Sequence, residues 1–149
     1  FAKDKTPYKT NRSAAFSLNG KKDHDSPGYY IELGAKKSYI AGGSWCPSNE
    51  KLRKIRSEIY YNTEDFNKII KNKNFKSTFK DIQGDKAKRL PKDVAEWAND
   101  SEYIYNKQFY FSAEFDSKDA LEPNFIKDIT TKFKHGKDLN VFLRRAMRD

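Results

Sequence analysis

The chain has 149 residues, a formal net charge of +9 and a mean hydropathy of −1.00. Its length fits one domain, which can bury about two thirds of its unfolded surface without disulfides or metals. The low hydropathy alone is typical of disorder, but aromatic residues make up 15% of the chain. Each fully buried ring contributes about 1.5–3 kcal/mol, so a core built from rings is expected. The sequence contains no apolar run long enough to cross a bilayer, and we therefore predict no membrane partner.

Cys46 is the single cysteine, which excludes an internal disulfide. A reducing compartment fits this cysteine usage, and no signal peptide is visible, so the sequence predicts a cytoplasmic protein. The chain begins at Phe1 rather than at Met. We therefore expect it to be a fragment or a processed piece of a longer protein.

The first element in chain order is a basic, polar stretch over residues 1–12. Pro7 favours an extended backbone there, and the stretch leads into a strand predicted over residues 14–18. Side chains that carry charge, hydroxyl or amide donors are frequent in it and suit an anion. These donors are Lys5, Tyr8, Lys9, Asn11 and Arg12. The residues leave a second interpretation equally open, in which Tyr8 packs and the lysines pair with nearby carboxylates.

A β-hairpin is predicted next, with strands over residues 29–33 and 38–41 around a glycine-containing turn. Gly42 and Gly43 follow and allow a bend or a close approach of the backbone. We predict Trp45 as a core side chain, with a cover over a ligand pocket as the alternative. Cys46 is predicted to be a small buried hydrophobic residue rather than a nucleophile.

From residue 49 onward, apolar residues recur at helical spacing behind N-capping residues such as Ser48. Residues 103–105 and 109–115 interrupt this pattern, because both are rich in strand formers. The predicted helices cover about 49–61, 63–72, 75–79, 93–98, 123–135 and 138–146. Strands that do not alternate regularly with helices indicate an α+β fold, with a mostly antiparallel sheet packed against several helices in one domain over residues 1–149.

A second basic, irregular stretch lies over residues 84–92. We predict that its Lys88 and Arg89, together with Trp45, join the donors of the first stretch in one anion site. The even spread of lysine along the chain favours a different interpretation, a solvated surface with no dedicated site.

No catalytic, phosphate-loop, dinucleotide or zinc pattern appears, so neither a cofactor nor a metal is predicted. His24 lies in a polar loop between two aspartates, and adjacent residues rarely converge on one ion. His135 is predicted as a cation at a helix C-terminus, followed by Gly136.

Five blocks of the sequence resemble the signature blocks of a bacterial family, domain of unknown function 2461. The blocks are FAKDKTPYKTN (1–11), GYYIEL (28–33), GGSWCP (42–47), KAKRLPK (86–92) and NKQF (106–109). The resemblance covers nearly the whole chain and implies no particular activity. Members of the family usually carry a helical segment upstream of the first block, so the chain is expected to match the larger C-terminal part.

Three functions remain open from the sequence. The first is a domain that binds an anionic ligand or nucleic acid, with aromatic side chains that stack on single strands. The second is an enzyme that acts on a small phosphorylated or carboxylated substrate through residues 5–12. The third is a structural or interaction domain with no ligand site. The sequence does not predict the oligomeric state.

Overall fold

The computed structural model describes residues 11–18, 20, 23, 25–35 and 37–148, and all structural statements below concern these residues. Four strands and six helices alternate unevenly along the chain, and three short 3₁₀ helices lie over Glu96–Asn99, Glu102–Tyr105 and Ser117–Leu121. The strands and helices are β1 (Asn11–Phe16), β2 (Gly28–Gly34), β3 (Ser38–Ser44), α1 (Asn49–Tyr61), α2 (Thr63–Ile70), α3 (Lys73–Phe79), α4 (Lys92–Ala95), β4 (Phe109–Phe115), α5 (Phe125–His135) and α6 (Lys137–Ala146).

The four strands form one antiparallel sheet in the order β1-β2-β3-β4. Ile31 of β2 lies opposite Ile40 of β3, which in turn lies opposite Ala113 of β4. The predicted α+β class and the predicted hairpin are therefore confirmed. Four helices, α1 to α4, separate β3 from β4 along the chain, so these two strands are neighbours in space but distant in sequence.

One face of the sheet packs against the helices. Burial alternates along β3, where Ser38, Ile40, Gly42 and Ser44 are buried and the residues between them are partly exposed. This period of two is what a half-buried strand requires. The core contains Ile55, Ile59, Phe66, Phe75, Phe79, Phe109, Phe111, Leu139, Phe142 and Leu143. Phenylalanine rings share this core with a larger number of aliphatic side chains, isoleucine above all, so the expectation of a core built mainly from rings is wrong.

Phe111 of β4 lies at the centre of the core, against two glycines. A Cβ atom placed on Gly42 of β3 would lie 2.4 Å from Cζ of Phe111. A Cβ atom on Gly136, between α5 and α6, would lie 2.2 Å from the same atom. Both distances are far below van der Waals contact, so the ring fits only because these two positions lack a side chain.

The helix starts are partly as predicted. Ser48 caps α1 by accepting from the backbone nitrogen of Lys51. Thr63 is the first residue of α2, and the cap position belongs to Asn62. The Thr63 hydroxyl instead donates back to the carbonyl of Ile59, 2.7 Å away. Thr63 therefore ties the end of α1 to the start of α2.

Residues 103–105 form a 3₁₀ helix rather than the strand that their composition predicts. Ile104 is fully buried, and the hydroxyl of Tyr103 donates to Oδ1 of Asp81 at 2.7 Å. These tertiary contacts outweigh the local strand propensity. The edge of β4 is covered instead by residues 83–87, where Gln83 pairs with Tyr110.

Candidate functional site

The face of the sheet opposite the helices carries polar and aromatic side chains. We call it the open face. Side chains alternate between the two faces of a strand. The open face therefore carries the partly exposed residues of β3 and the residues of the neighbouring strands that share their side of the sheet. The open face comprises Asn11, Tyr30, Glu32, Tyr39, Tyr110, Ser112, Glu114 and, just beyond the end of β3, Trp45.

Glu32 is the centre of a hydrogen-bonded cluster at one end of the open face. Its Oε2 accepts from the hydroxyl of Tyr30 at 2.6 Å and from that of Tyr39 at 3.4 Å. Its Oε1 accepts from Nδ2 of Asn11 at 3.0 Å. The hydrogen bonds from Tyr30, then from Asn11, hold the pKa of Glu32 below its ordinary value of 4.5. The carboxylate is thus ionised and orders three neighbouring side chains.

Tyr39 is the protonated partner in this cluster. Partial burial, followed by the nearby charges of Tyr30 and Glu32, raises the pKa of Tyr39 to about 12. Its ring lies 5.7 Å from that of Tyr30, tilted by 37°. At neutral pH the hydroxyl of Tyr39 therefore stays protonated and donates to Glu32, and its ring lies beside that of Tyr30.

Trp45 lies at the other end of the open face. Its ring centroid is 4.6 Å from that of Tyr110, and 61% of its surface is exposed. The prediction of a core side chain is therefore wrong. The reason is the alternation of β3: Ser44 is buried on the helix side, so the next residue projects to the opposite side.

Cys46 is also exposed, where burial was predicted. The chain leaves the sheet after Ser44 and crosses the surface to α1. A hydrogen bond holds this segment in place: the backbone nitrogen of Ser48 donates to Oδ1 of Asp25 at 2.9 Å. Cys46 lies on this surface segment and not under the helices.

The predicted anion-site residues are dispersed where the structure describes them. Lys5, Tyr8 and Lys9 lie outside the described residues. Asn11 lies on the open face, while Arg12 is exposed on the other side of β1. Lys88 and Arg89 are exposed and follow the bridge between Lys86 and Asn106, past the Phe109 end of β4.

Strand register shows which of these residues come together. Asn11 lies opposite Gly34 at one end of the sheet, and Trp45 follows Ser44 at the other end. Asn11 and Trp45 therefore share a face but lie at opposite ends of it. The structure does not bring Asn11 and Arg12 next to Lys88 and Arg89.

Four residues of the open face were not predicted as site residues: Tyr30, Glu32, Tyr39 and Tyr110. A signal for two of them was present, because Glu32 lies between the apolar Ile31 and Leu33, and Tyr30, two residues before Glu32, shares its face of the strand. Alternation of this kind marks the exposed side of a strand. The pairing of Tyr110 with Trp45 had no such signal, because it depends on the register between β3 and β4.

Metal ligands and histidine chemistry do not define this site. Within the described residues, no group of three or more His, Cys, Asp or Glu side chains could hold a metal ion. Nδ1 of His135 lies 2.7 Å from the hydroxyl of Thr78, at the contact between α5 and α3. His135 is in the last turn of α5, as predicted, and connects two helices.

Comparison with known proteins identifies the family. Residues 1–142 match the family model described as "Conserved hypothetical protein (DUF2461)", which confirms the resemblance of the sequence blocks. Neither the curated proteins nor the solved structures provide a match. None of the helices in the described part of the chain has the length and apolar character needed to span a membrane. The chain belongs to the conserved hypothetical protein family DUF2461.

Proposed function

We propose that this protein is a binding domain for single-stranded nucleic acid and that the open face of its sheet is the contact surface. The observation that carries the proposal is the exposed Trp45 ring beside Tyr110 on an antiparallel sheet, in a chain of net charge +9. Its working compartment would be the cytoplasm, which suits a single unpaired cysteine.

Stacking is the first part of the argument. Nucleic-acid bases stack on exposed aromatic rings, and each such contact contributes about 1–3 kcal/mol. The open face offers two ring pairs, Trp45 with Tyr110 and Tyr30 with Tyr39. Along β3 the nearest members of the two pairs, Tyr30 opposite Ala41 and Tyr110 opposite Gly43, are two residues or about 7 Å apart. The farthest members, Tyr39 and Trp45, are six residues or about 20 Å apart. An extended strand of several nucleotides matches that spacing.

Charge is the second part. The chain carries 30 Lys and Arg residues against 21 Asp and Glu residues, which favours contact with phosphates. Both carboxylates of the open face already have hydrogen-bond donors, but only Glu114 has a cationic partner. Glu32 accepts three hydrogen bonds, and Glu114 accepts from Nζ of Lys37 at 3.1 Å. Carboxylates held in this way can accept hydrogen bonds from base amino groups.

The geometry favours a polymer over a small substrate. An enzyme acting through residues 5–12 would need Asn11 and Trp45 in one pocket. Register places the two residues at opposite ends of the open face. A ligand that contacts both must therefore be extended, which argues against the small phosphorylated or carboxylated substrate.

Fluorescence anisotropy with a labelled single-stranded oligonucleotide tests the proposal. We expect binding that weakens about 50-fold between roughly 50 and 200 mM salt if about four phosphates are contacted. Trp45→Ala should weaken binding by about tenfold or more, because a stacking partner is lost. Tyr61→Ala is the matched control, since Tyr61 is 74% exposed but lies at the end of α1 in the helical layer.

Two results would refute the proposal. One is the absence of salt-dependent binding by the native chain, which would favour a structural or interaction domain. The other is equal affinity of the Trp45→Ala and Tyr61→Ala variants, which would move binding away from the open face.

A further inference from the structure

We propose that a nucleic-acid strand bound to the open face continues past the edge of β4 onto residues 83–89 and the exposed side chains beside them. We call residues 83–89 the strap. This second contact region rests on the proposed function, because it extends the same ligand. It assigns the phosphate contacts to particular cations and gives the edge over which the strand leaves the sheet.

The strap begins as an extension of the sheet along the outer edge of β4. The backbone nitrogen of Gln83 donates to the carbonyl oxygen of Tyr110 at 2.7 Å, and the nitrogen of Tyr110 donates back to Gln83 at 3.3 Å. Residues directly opposite in an antiparallel pair share one face, and Tyr110 is on the open face. Oε1 of Gln83 accordingly accepts from the hydroxyl of Ser112, another open-face residue, at 2.9 Å. The open face therefore continues past β4 onto Gln83.

The rest of the strap runs antiparallel to the residues that precede β4. The backbone nitrogen of Lys107 donates to the carbonyl of Asp85 at 2.8 Å, and that of Ala87 donates to the carbonyl of Tyr105 at 2.7 Å. Residues 105–107 lie at the same end of the sheet as Trp45, because β3 and β4 are antiparallel. The strap thus brings its side chains to the end of the open face that carries the tryptophan.

Cations and an exposed ring occur together in this region. Lys88, Arg89 and Lys107 are exposed, and none of them has an ion-pair partner within the described residues. Tyr105 is exposed as well. Surfaces that bind single strands combine cations, which contact phosphates, with rings on which bases stack. The strap region has both components.

The carboxylates in this region leave it with an excess of positive charge. Glu102 forms an ion pair with Lys86, so these two charges offset each other. Asp85 is the one acidic residue of the strap itself. It stands against the three cations without an ion-pair partner, and such an excess raises the local concentration of anions.

The reach along the chain fits one continuous ligand. Lys88 is five residues beyond Gln83, so their Cα atoms are about 18 Å apart at most. Gln83 pairs with Tyr110, whose ring lies 4.6 Å from that of Trp45. An extended strand that stacks on Trp45 can therefore reach the cations of the strap. Arg12, in contrast, is exposed on the helix side of β1, at the opposite edge of the sheet.

Fluorescence anisotropy of the whole chain with a labelled oligothymidylate of about 12 nucleotides tests the strap. Each phosphate contact with a single strand contributes about 0.7 to the slope of log K against log salt, so combining Lys88→Gln with Arg89→Gln should reduce the slope by about 1.4. The control combines Lys127→Gln with Lys134→Gln, which removes the same charge from exposed positions of α5. Equal slopes in the two double variants would overturn the strap as a contact region.

Ligand length provides a second measurement. An oligothymidylate of about four nucleotides can occupy the open face but cannot also reach the strap, whereas one of about 12 can do both. Tyr105→Ala should weaken binding of the longer ligand by about fivefold or more, because a stacking partner is lost, and should leave binding of the shorter ligand unchanged. An equal loss with both lengths, or no loss with either, would overturn the path over β4.

The strap and the open face can fail separately. Suppose that Trp45→Ala weakens binding while the Lys88→Gln and Arg89→Gln double variant matches its control. The open face then binds nucleic acid, and the strap proposal is overturned alone. Absence of salt-dependent binding by the native chain would overturn the proposed function and the strap proposal together.

Discussion

The side-chain amide of Asn140 in α6 donates to the backbone oxygen of Gly28 in β2, with 3.0 Å between Nδ2 and O. Asn140 is 1% exposed, so this bond lies between the helical layer and the sheet. It fixes the last helix against the first residue of β2. The bond therefore fixes the position of the helical layer relative to the sheet, whose other side is the open face.

Asn140→Ala should lower the free energy of unfolding by about 1–3 kcal/mol, because it leaves a carbonyl without its donor and removes buried atoms. Urea unfolding at neutral pH measures the difference. Asn99→Ala, at an exposed asparagine that ends a 3₁₀ helix, is the control and should change stability by no more than about 0.5 kcal/mol. Equal effects of the two substitutions would contradict a structural role for the Asn140 bond.

Gly136→Ala should destabilise the fold by about 1–3 kcal/mol, because its Cβ would overlap the ring of Phe111. Phe111→Leu removes the overlapping ring atoms and should recover part of that loss when both changes are combined. A double-mutant cycle from urea unfolding gives the coupling between the two positions. Additivity within about 0.5 kcal/mol would show that the ring and the glycine do not interact.

Glu32 should stabilise the fold at neutral pH but not in acid. Its pKa is lowered in the folded state, so the folded chain binds this proton less tightly than the unfolded chain. The stabilisation is therefore present above the ordinary value of 4.5 and is lost as pH falls through the folded value.

Glu32→Gln should accordingly be less stable than the native chain at about pH 7, and the difference should narrow as the pH falls below 4.5, by urea midpoints measured across this range. Glu122→Gln is the control, because Glu122 is exposed and its side chain has no partner among the described residues. A Glu32→Gln deficit that does not change with pH would contradict the lowered pKa.

The folded protein should react with a thiol reagent at Cys46. The structure exposes this residue beside Trp45, so Ellman's reagent should modify one thiol per chain without denaturant. A Cys46→Ser variant should show no reaction. If the thiol reacts only after urea is added, Cys46 is buried, as its residue type alone indicates.

Several elements could be predicted because their signals are local. The β2–β3 hairpin follows from alternating apolar residues around a glycine-containing turn, and α1 follows from Ser48 ahead of helically spaced Leu52, Ile55 and Ile59. These features need no knowledge of distant contacts. The α+β class then follows from the order of such elements.

Trp45 and residues 103–105 could not be placed in this way. The hydrophobicity of tryptophan favours a position in the core. The face of the sheet on which Trp45 lies depends instead on the alternation of side chains along β3, where Ser44 is buried. Residues 103–105 are strand formers whose conformation depends on Asp81 and on a buried Ile104.

The open face could not be predicted from local sequence either. It is defined by which side of the sheet the helices cover and by the pairing of β3 with β4. Local sequence encodes neither of these features.

The position of β4 also sets the order of assembly. It pairs with β3 over seven residue pairs, yet α1, α2, α3 and α4 all lie between the two strands in the chain. Closing so large a loop costs more entropy than closing either of the short connections between β1, β2 and β3. The three early strands can pair first, and we expect the addition of β4 at the edge of the sheet, a step of high contact order, to limit the folding rate. On the ribosome, β3 keeps a free edge until Phe115 has been synthesised and released from the exit tunnel. Its helix side stays uncovered for longer, because α5 and α6, which contact β3, follow β4 in the chain.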